Sequence, residues 1–253
     1  MTHGRIWTTA AAFVITLAVL IGCSTTQVRP AQEAVAHYTV GLNALQAGKL
    51  DLALSEFNKA IECDPSNKDA HFAAGIVYYE QNEMELAKKE FKRTLSLDPG
   101  DYDAHNNLGL VYASEKNFEE AIRELRLAAE HPQNKNPESA LLNLGQTFDL
   151  MGEHEKAAHE FMEALLLQPL GDHVMTRLAD QYYKLGKIED ATRYYEKAVK
   201  LNPDNIMAHY GLGQAYYKSG RNVEAIACFI KVTERVPGTA MAESAEKYIY
   251  LLK

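Results

Sequence analysis

The chain has 253 residues, 47% of them hydrophobic, with only 15 Gly and 8 Pro. That composition suits a folded chain and excludes long disordered tracts. Its 34 acidic and 26 basic residues give a formal charge of −8, and such an acidic body repels phosphate backbones, which argues against nucleic acid as a partner.

The N-terminus carries a targeting signal. Arg5, with His3 beside it, makes a basic start, and Thr8 to Gly22 is almost entirely apolar. A run of that length suits a signal-peptide core and is short for a bilayer span. It ends in Leu20-Ile21-Gly22-Cys23, which resembles the lipobox read by the lipoprotein signal peptidase. The reading is a signal peptide over 1–22, with Cys23 taking a diacylglycerol through its sulfur. Cleavage before Cys23 frees an amine that is commonly acylated in turn, and two or three acyl chains anchor stably at roughly 0.8 kcal/mol per buried methylene. Ser24 stands where Asp would signal inner-membrane retention, so the expected address is the periplasmic face of the outer membrane. The single Trp, Trp7, falls in the segment to be removed. Residues 23–33 then form the lipidated Cys and a polar tether, at most about 35 Å long when fully extended.

Beyond the tether the sequence repeats itself. A small residue recurs at Gly41, Gly75, Gly109, Gly145, Ala179 and Gly213, in steps of 34, 34, 36, 34 and 34. Twelve residues after each stands an Ala: Ala53, Ala87, Ala121, Ala157, Ala191 and Ala225. Four further on comes Phe57, Phe91, Leu125, Phe161, Tyr195 or Phe229. Pro65, Pro99, Pro132, Pro169, Pro203 and Pro237 close the units. This pattern resembles the tetratricopeptide-repeat (TPR) consensus, with a period characteristic of that array. The resemblance implies an all-α fold, a right-handed TPR superhelix of six helix-turn-helix repeats over 34–67, 68–101, 102–135, 138–171, 172–205 and 206–239.

The residue types have mechanical reasons. The small residue on the first helix and the Ala on the second let the pair approach closely, and the aromatic fills the space between them. Gly48, Gly152, Gly186 and Gly220 sit in the turns, where a left-handed residue ends a helix at little steric cost. Each Pro stops the second helix. Stacked repeats share a continuous core and need a cover at the end. Met241, Ala245, Tyr248, Ile249 and Leu252 fall on one helical face, which predicts a capping helix over 240–253. Cys63 and Cys228 belong to the first and last repeats, too far apart to bridge, and are read as packing residues.

Nine His invite a metal reading. His37, His71, His105 and His209 all occupy the fourth position of their repeats, on the order of 10 Å apart between adjacent first helices, too far to share an ion. His154 and His159 are five apart, about 140° around a helix, and miss the four-residue spacing of a zinc protease motif. No phosphate loop, nucleophile elbow or triad spacing is present. The expectation is a protein without catalytic residues, metal, small-molecule substrate or cofactor, apart from the covalent lipid on Cys23.

In TPR arrays the first helices line the concave face, with positions 2, 5, 9 and 12 pointing into the groove on one helical stripe. Here these are Val35, Tyr38, Leu42 and Leu45, then Asp69, Phe72, Ile76 and Tyr79. Seven of the eight are apolar or aromatic. Cover by the tether is one account; a groove for an apolar partner segment is the other, and the one favoured. Further on, Asn107, Asn143 and Arg177 occupy position 6, where an amide can pair with both groups of an extended peptide. Tyr183, Tyr210 and Tyr217 add an aromatic stretch. The carboxylate-clamp pattern of Lys at position 5 and Asn at position 9 is not met.

The lipobox, short tether, six repeats and brief terminal helix resemble the type IV pilus biogenesis lipoproteins, the pilotins of the pilus secretin. Asn106-Asn107-Leu108-Gly109 followed by Phe118-Glu119-Glu120-Ala121 adds to the match. So does the stretched step after the third repeat, with Pro137-Glu138 ahead of Asn143-Leu144-Gly145. The resemblance implies a scaffold that escorts secretin subunits to the outer membrane and promotes their multimerisation. The alternative is an outer-membrane TPR lipoprotein serving as adaptor for peptidoglycan enzymes or polysaccharide export.

Overall fold

The computed structural model describes residues 28–252, which contain thirteen helices and no strands. In chain order they are α1 Val28–Gln46, α2 Leu50–Cys63, α3 Lys68–Glu80, α4 Met84–Leu97, α5 Tyr102–Ser114, α6 Phe118–Ala129 and α7 Pro137–Leu150. They continue with α8 His154–Leu167, α9 Asp172–Lys184, α10 Ile188–Leu201, α11 Ile206–Lys218, α12 Asn222–Arg235 and α13 Ala240–Leu252. The all-α class is the one the sequence predicts. The signal-peptide segment, Trp7 and Cys23 lie outside the described residues.

One boundary moves. Helix α1 begins at Val28, so Val28 to Glu33, read from the sequence as tether, are helical. Pro30 is tolerated there because the first turn leaves its N–H positions unpaired in any helix.

The helices fall into two compact units, one reaching to Asn107 and the other starting at Leu108. In the first, Phe57, Phe91, Ala53, Ala87, Ala74 and Val77 are completely buried. A methyl group on Gly41 would lie 2.5 Å from Phe57, so the close approach of α1 and α2 requires the missing side chain. Fully burying one such Phe is worth about 1.5–3 kcal/mol. In the second unit a single core runs from Leu125 through Leu144, Phe161, Leu178, Tyr195 and Phe229 to Ala245.

The turns inside the helix pairs share one geometry. Lys49, Glu83, Asn117, Glu153, Lys187 and Arg221 each donate a backbone N–H to the carbonyl five residues back. The residue before each has positive φ. Four of these are the expected glycines, but Asn82 (φ 63°) and Lys116 (φ 62°) hold the same left-handed conformation. Between pairs, the Oδ1 of Asn67, Asp101 and Asn205 accepts from the N–H three residues on and caps α3, α5 and α11, a bond worth about 1 kcal/mol.

The repeated histidines have a packing role. His71, His105 and His209 turn Nε2 to the carbonyl of the Pro closing the preceding repeat, at 3.2, 3.1 and 3.0 Å. His37 and His71 direct Nδ1 at Glu56 and Glu90 on the facing second helix, at 2.7 and 2.6 Å. Hydrogen bonds from Lys59 and His37 hold the Glu56 carboxyl below its usual range. Lys68 reaches both Asp98 and Asp101 at 2.9 Å and is held above its usual range by them.

Candidate protein-binding surface

Unit one carries the apolar stripe. Helices α1 and α3 present Val35 and Leu42 to solvent, 61% and 38% exposed, with Phe72, Ile76 and Tyr79 half-buried. Two of the predicted groove residues do more than line a surface. The Tyr38 ring packs 5.8 Å from that of Phe57, and Phe72 packs 5.8 Å from Phe91. Leu45 likewise leans on the unit-one core. Positions 5 and 12 therefore sit at the seam between paired helices, because each apolar stripe is wider than the strip that faces outward. Burial pushes the Tyr38 phenol up, and the nearby Asp69 carboxylate adds to it.

Asn107, expected to offer its amide to a peptide, donates Nδ2–H to the carbonyl of Asp103 at 2.8 Å. That bond runs back along its own helix, the usual local competitor for a short polar side chain. In unit two, Arg177 is exposed and Asn143 half-buried.

The three C-terminal tyrosines are brought together, but around α13 and not around an open groove. Tyr210 shares a 2.8 Å hydrogen bond with Ser244, and Tyr217 meets the edge of Tyr248 at 5.3 Å. Tyr248 stacks on Phe229 at 4.7 Å. Burial raises the Tyr183 phenol, with Tyr248 and Tyr210 contributing. The aromatic stretch assigned to the groove is thus substantially taken by the terminal helix. Its partners Ser244 and Tyr248 lie one full repeat further along the chain, which local patterning does not reveal.

One residue escaped the sequence reading. Asp180 stands at position 9 of its repeat, where the others have Leu42, Ile76, Leu110, Gln146 and Gln214. Its carboxylate accepts from Tyr195 Oη at 2.5 Å. Burial raises Asp180, opposed by the Tyr195 bond and by Arg177 and Lys184. A lone carboxylate at an otherwise uncharged position was the available signal.

Among the described residues no group of three or more His, Cys, Asp and Glu is placed to hold a metal ion. His154 Nδ1 lies 3.0 Å from Gln181 Oε1, while His159 is exposed. Cys63 and Cys228 are free thiols, the latter pushed up to about 11 by burial. No described helix is long and apolar enough to cross a membrane.

Paired antiparallel helices, a small residue facing an aromatic (Leu125 in the third pair) and a left-handed turn between them define a repeat protein of the TPR class. Family models agree. A TPR repeat model matches residues 41–82 and 179–220, and tetratricopeptide repeat models match 78–137, 138–169 and 208–237. The chain is a TPR-repeat protein, and these models describe no catalytic family.

Among solved structures, PilF of Pseudomonas aeruginosa is similar at 24% identity and TM-score 0.75, covering 86% of this chain and 98% of that one. PilW, described as a widely conserved type IV pilus biogenesis factor, gives 18% identity and TM-score 0.76, covering 84% and 98%. YrrB, described as a TPR protein with an unusual peptide-binding site, gives 20% and 0.60, covering 76% and 97%. At these identities the likeness establishes the fold. Among curated protein sequences there is no match.

Proposed function

We propose that this chain is a lipid-anchored TPR scaffold of type IV pilus biogenesis, a pilotin that holds an apolar segment of the pilus secretin until the ring assembles at the outer membrane. The observation that carries the reading is the apolar stripe of unit one, where Val35 and Leu42 are exposed beside Tyr38, Phe72 and Ile76. Exposed apolar surface of this kind marks an interface more often than chance. The likeness to PilF and PilW over nearly their whole lengths supports the pilus assignment. The lipobox supports the anchor at Cys23, and no cofactor beyond that lipid enters the reading.

Leu42→Glu and Ile76→Glu test it. Both side chains reach the surface, so helicity and melting should change little. A carboxylate forced against an apolar partner segment is strongly unfavourable, so secretin multimers should disappear while the lipoprotein stays in the outer-membrane fraction. Ala87→Glu is the contrast: Ala87 is fully buried, so this variant should unfold its repeat. Normal multimers in both groove variants would put the binding surface elsewhere. Normal multimers in a deletion strain would remove the pilotin assignment. Cys23→Ser should abolish fatty-acid labelling, and an unlabelled parent protein would end the anchor reading.

A further inference from the structure

The apolar stripe of unit one carries charge of a single sign. At its groove positions the charged residues are Asp69 and Asp103, each second in its repeat, and both are exposed. Asp69 lies close enough to Tyr38 to raise its phenol, so it borders the stripe directly. Asp103 stands in the first turn of α5, and the same position on neighbouring first helices is on the order of 10 Å apart. Glu80, the last residue of α3, adds a third exposed carboxylate.

The fold leaves these charges uncompensated. Among the described residues none of the three holds an ion pair within this chain. Lys68, beside Asp69 in sequence, turns instead to Asp98 and Asp101, at 2.9 Å from each. Desolvation and the neighbouring Asp101 raise the Asp103 carboxyl, with Lys68 opposing. Carboxylates between the paired helices are treated differently: Glu56 and Glu90 each receive a histidine from the facing helix. In unit two the inner surface mixes signs, with Arg177 acting on Asp180 and Lys184 paired to Asp149.

We propose that the segment held by unit one is amphipathic and cationic, laying apolar side chains on Leu42 and Ile76 and Lys or Arg side chains on Asp69 and Asp103. This rests on the groove reading above and adds the partner's charge to it. A purely apolar or acidic segment would exclude water from two carboxylates and give them nothing in return, which is costly. A basic segment pairs both through charge-assisted hydrogen bonds. Carboxylates one repeat apart match basic residues two turns apart on a helix, a rise of about 10.5 Å. Complementary charge of this kind sets register and rejects wrong partners.

The chain from residue 23 with Cys23→Ser keeps all thirteen described helices and contains no Trp, since the single Trp is Trp7. Two helical probe peptides can therefore be followed by their own Trp emission. They share one Leu face bearing a Trp, and carry either Lys or Glu at the polar positions. The Lys peptide should bind about tenfold tighter than the Glu peptide or better. Asp69→Asn with Asp103→Asn should weaken the Lys peptide by about threefold to tenfold, as two lost ion pairs imply, with melting close to the parent's. Glu62→Gln with Glu85→Gln removes the same charge from the second helices and should leave the affinity unchanged. Leu42→Ala with Ile76→Ala should weaken binding through lost apolar contact. No binding of the Lys peptide, equal affinity for the two peptides, an unaffected Asp69 and Asp103 variant, or an equal loss in the Glu62 and Glu85 control would each overturn the inference. Sensitivity to Leu42 and Ile76 without any charge preference would leave the groove standing and sink the cationic partner alone. Binding indifferent to Leu42 and Ile76 would remove the groove reading as well.

Discussion

A methyl group on Gly211 would lie 2.4 Å from Cζ of Tyr195. The cause is found in the fifth repeat, which has Ala179 where other repeats have glycine, and Tyr195 where most have Phe. The larger ring is accommodated against the next first helix, where Gly211 gives it room and Asp180 accepts its hydroxyl. Gly211→Ala should therefore cost about 1–3 kcal/mol, the usual penalty for overpacking a filled core. Urea unfolding measures it, and an unchanged midpoint would show that the ring moves freely.

Asp180 gives a pH dependence with a definite sign. Burial raises its carboxyl in the folded state. As pH rises through the ordinary carboxylate range, the unfolded chain loses this proton first and the folded chain keeps it longer. Raising the pH across that window favours unfolding, and above the window the cost is constant. Asp180→Asn keeps an acceptor for Tyr195 and removes the charge. The variant should lack this pH dependence on the alkaline side of the ordinary carboxylate range and be at least as stable as the parent once Asp180 of the parent is ionised. Parallel stability curves for the two proteins would contradict it.

The left-handed turns rank a second pair of substitutions. Lys116 pays for positive φ with a Cβ that glycine lacks. Lys116→Gly should stabilise the protein by about 0.5–1 kcal/mol once the extra chain entropy of glycine is offset. Asn82→Gly should gain less, because asparagine tolerates the conformation better. Thermal denaturation of both variants checks the order, and a loss on Lys116→Gly would show that its side chain makes a stabilising contact.

The terminal helix should contribute through one ring above all. Tyr248 stacks on Phe229 and meets Tyr217 edge-on. Tyr248→Ala should cost about 2–4 kcal/mol, from lost apolar burial and lost ring contacts. Tyr250→Ala, on the exposed face, should be nearly neutral for folding. Equal losses for the two variants in chemical denaturation would refute the assignment of faces.

What the sequence determined by itself is whatever repeats along it. Helix pairing, the Gly–Phe contact of Gly41 with Phe57, and the glycine turns depend on residue types at fixed spacing, and all were legible. The expectation of a capping helix over 240–253 likewise came from the helical period of Met241, Ala245, Tyr248, Ile249 and Leu252. Tertiary structure alone decided the contacts between helices that lie outside this repeated pattern. The Glu partners of His37 and His71 and the placement of Tyr210 and Tyr217 against α13 are of this kind. Their energies depend on where a neighbouring helix arrives and which face it presents. A stripe wide enough to serve both core and surface reads the same along the chain, and only packing divides it between them.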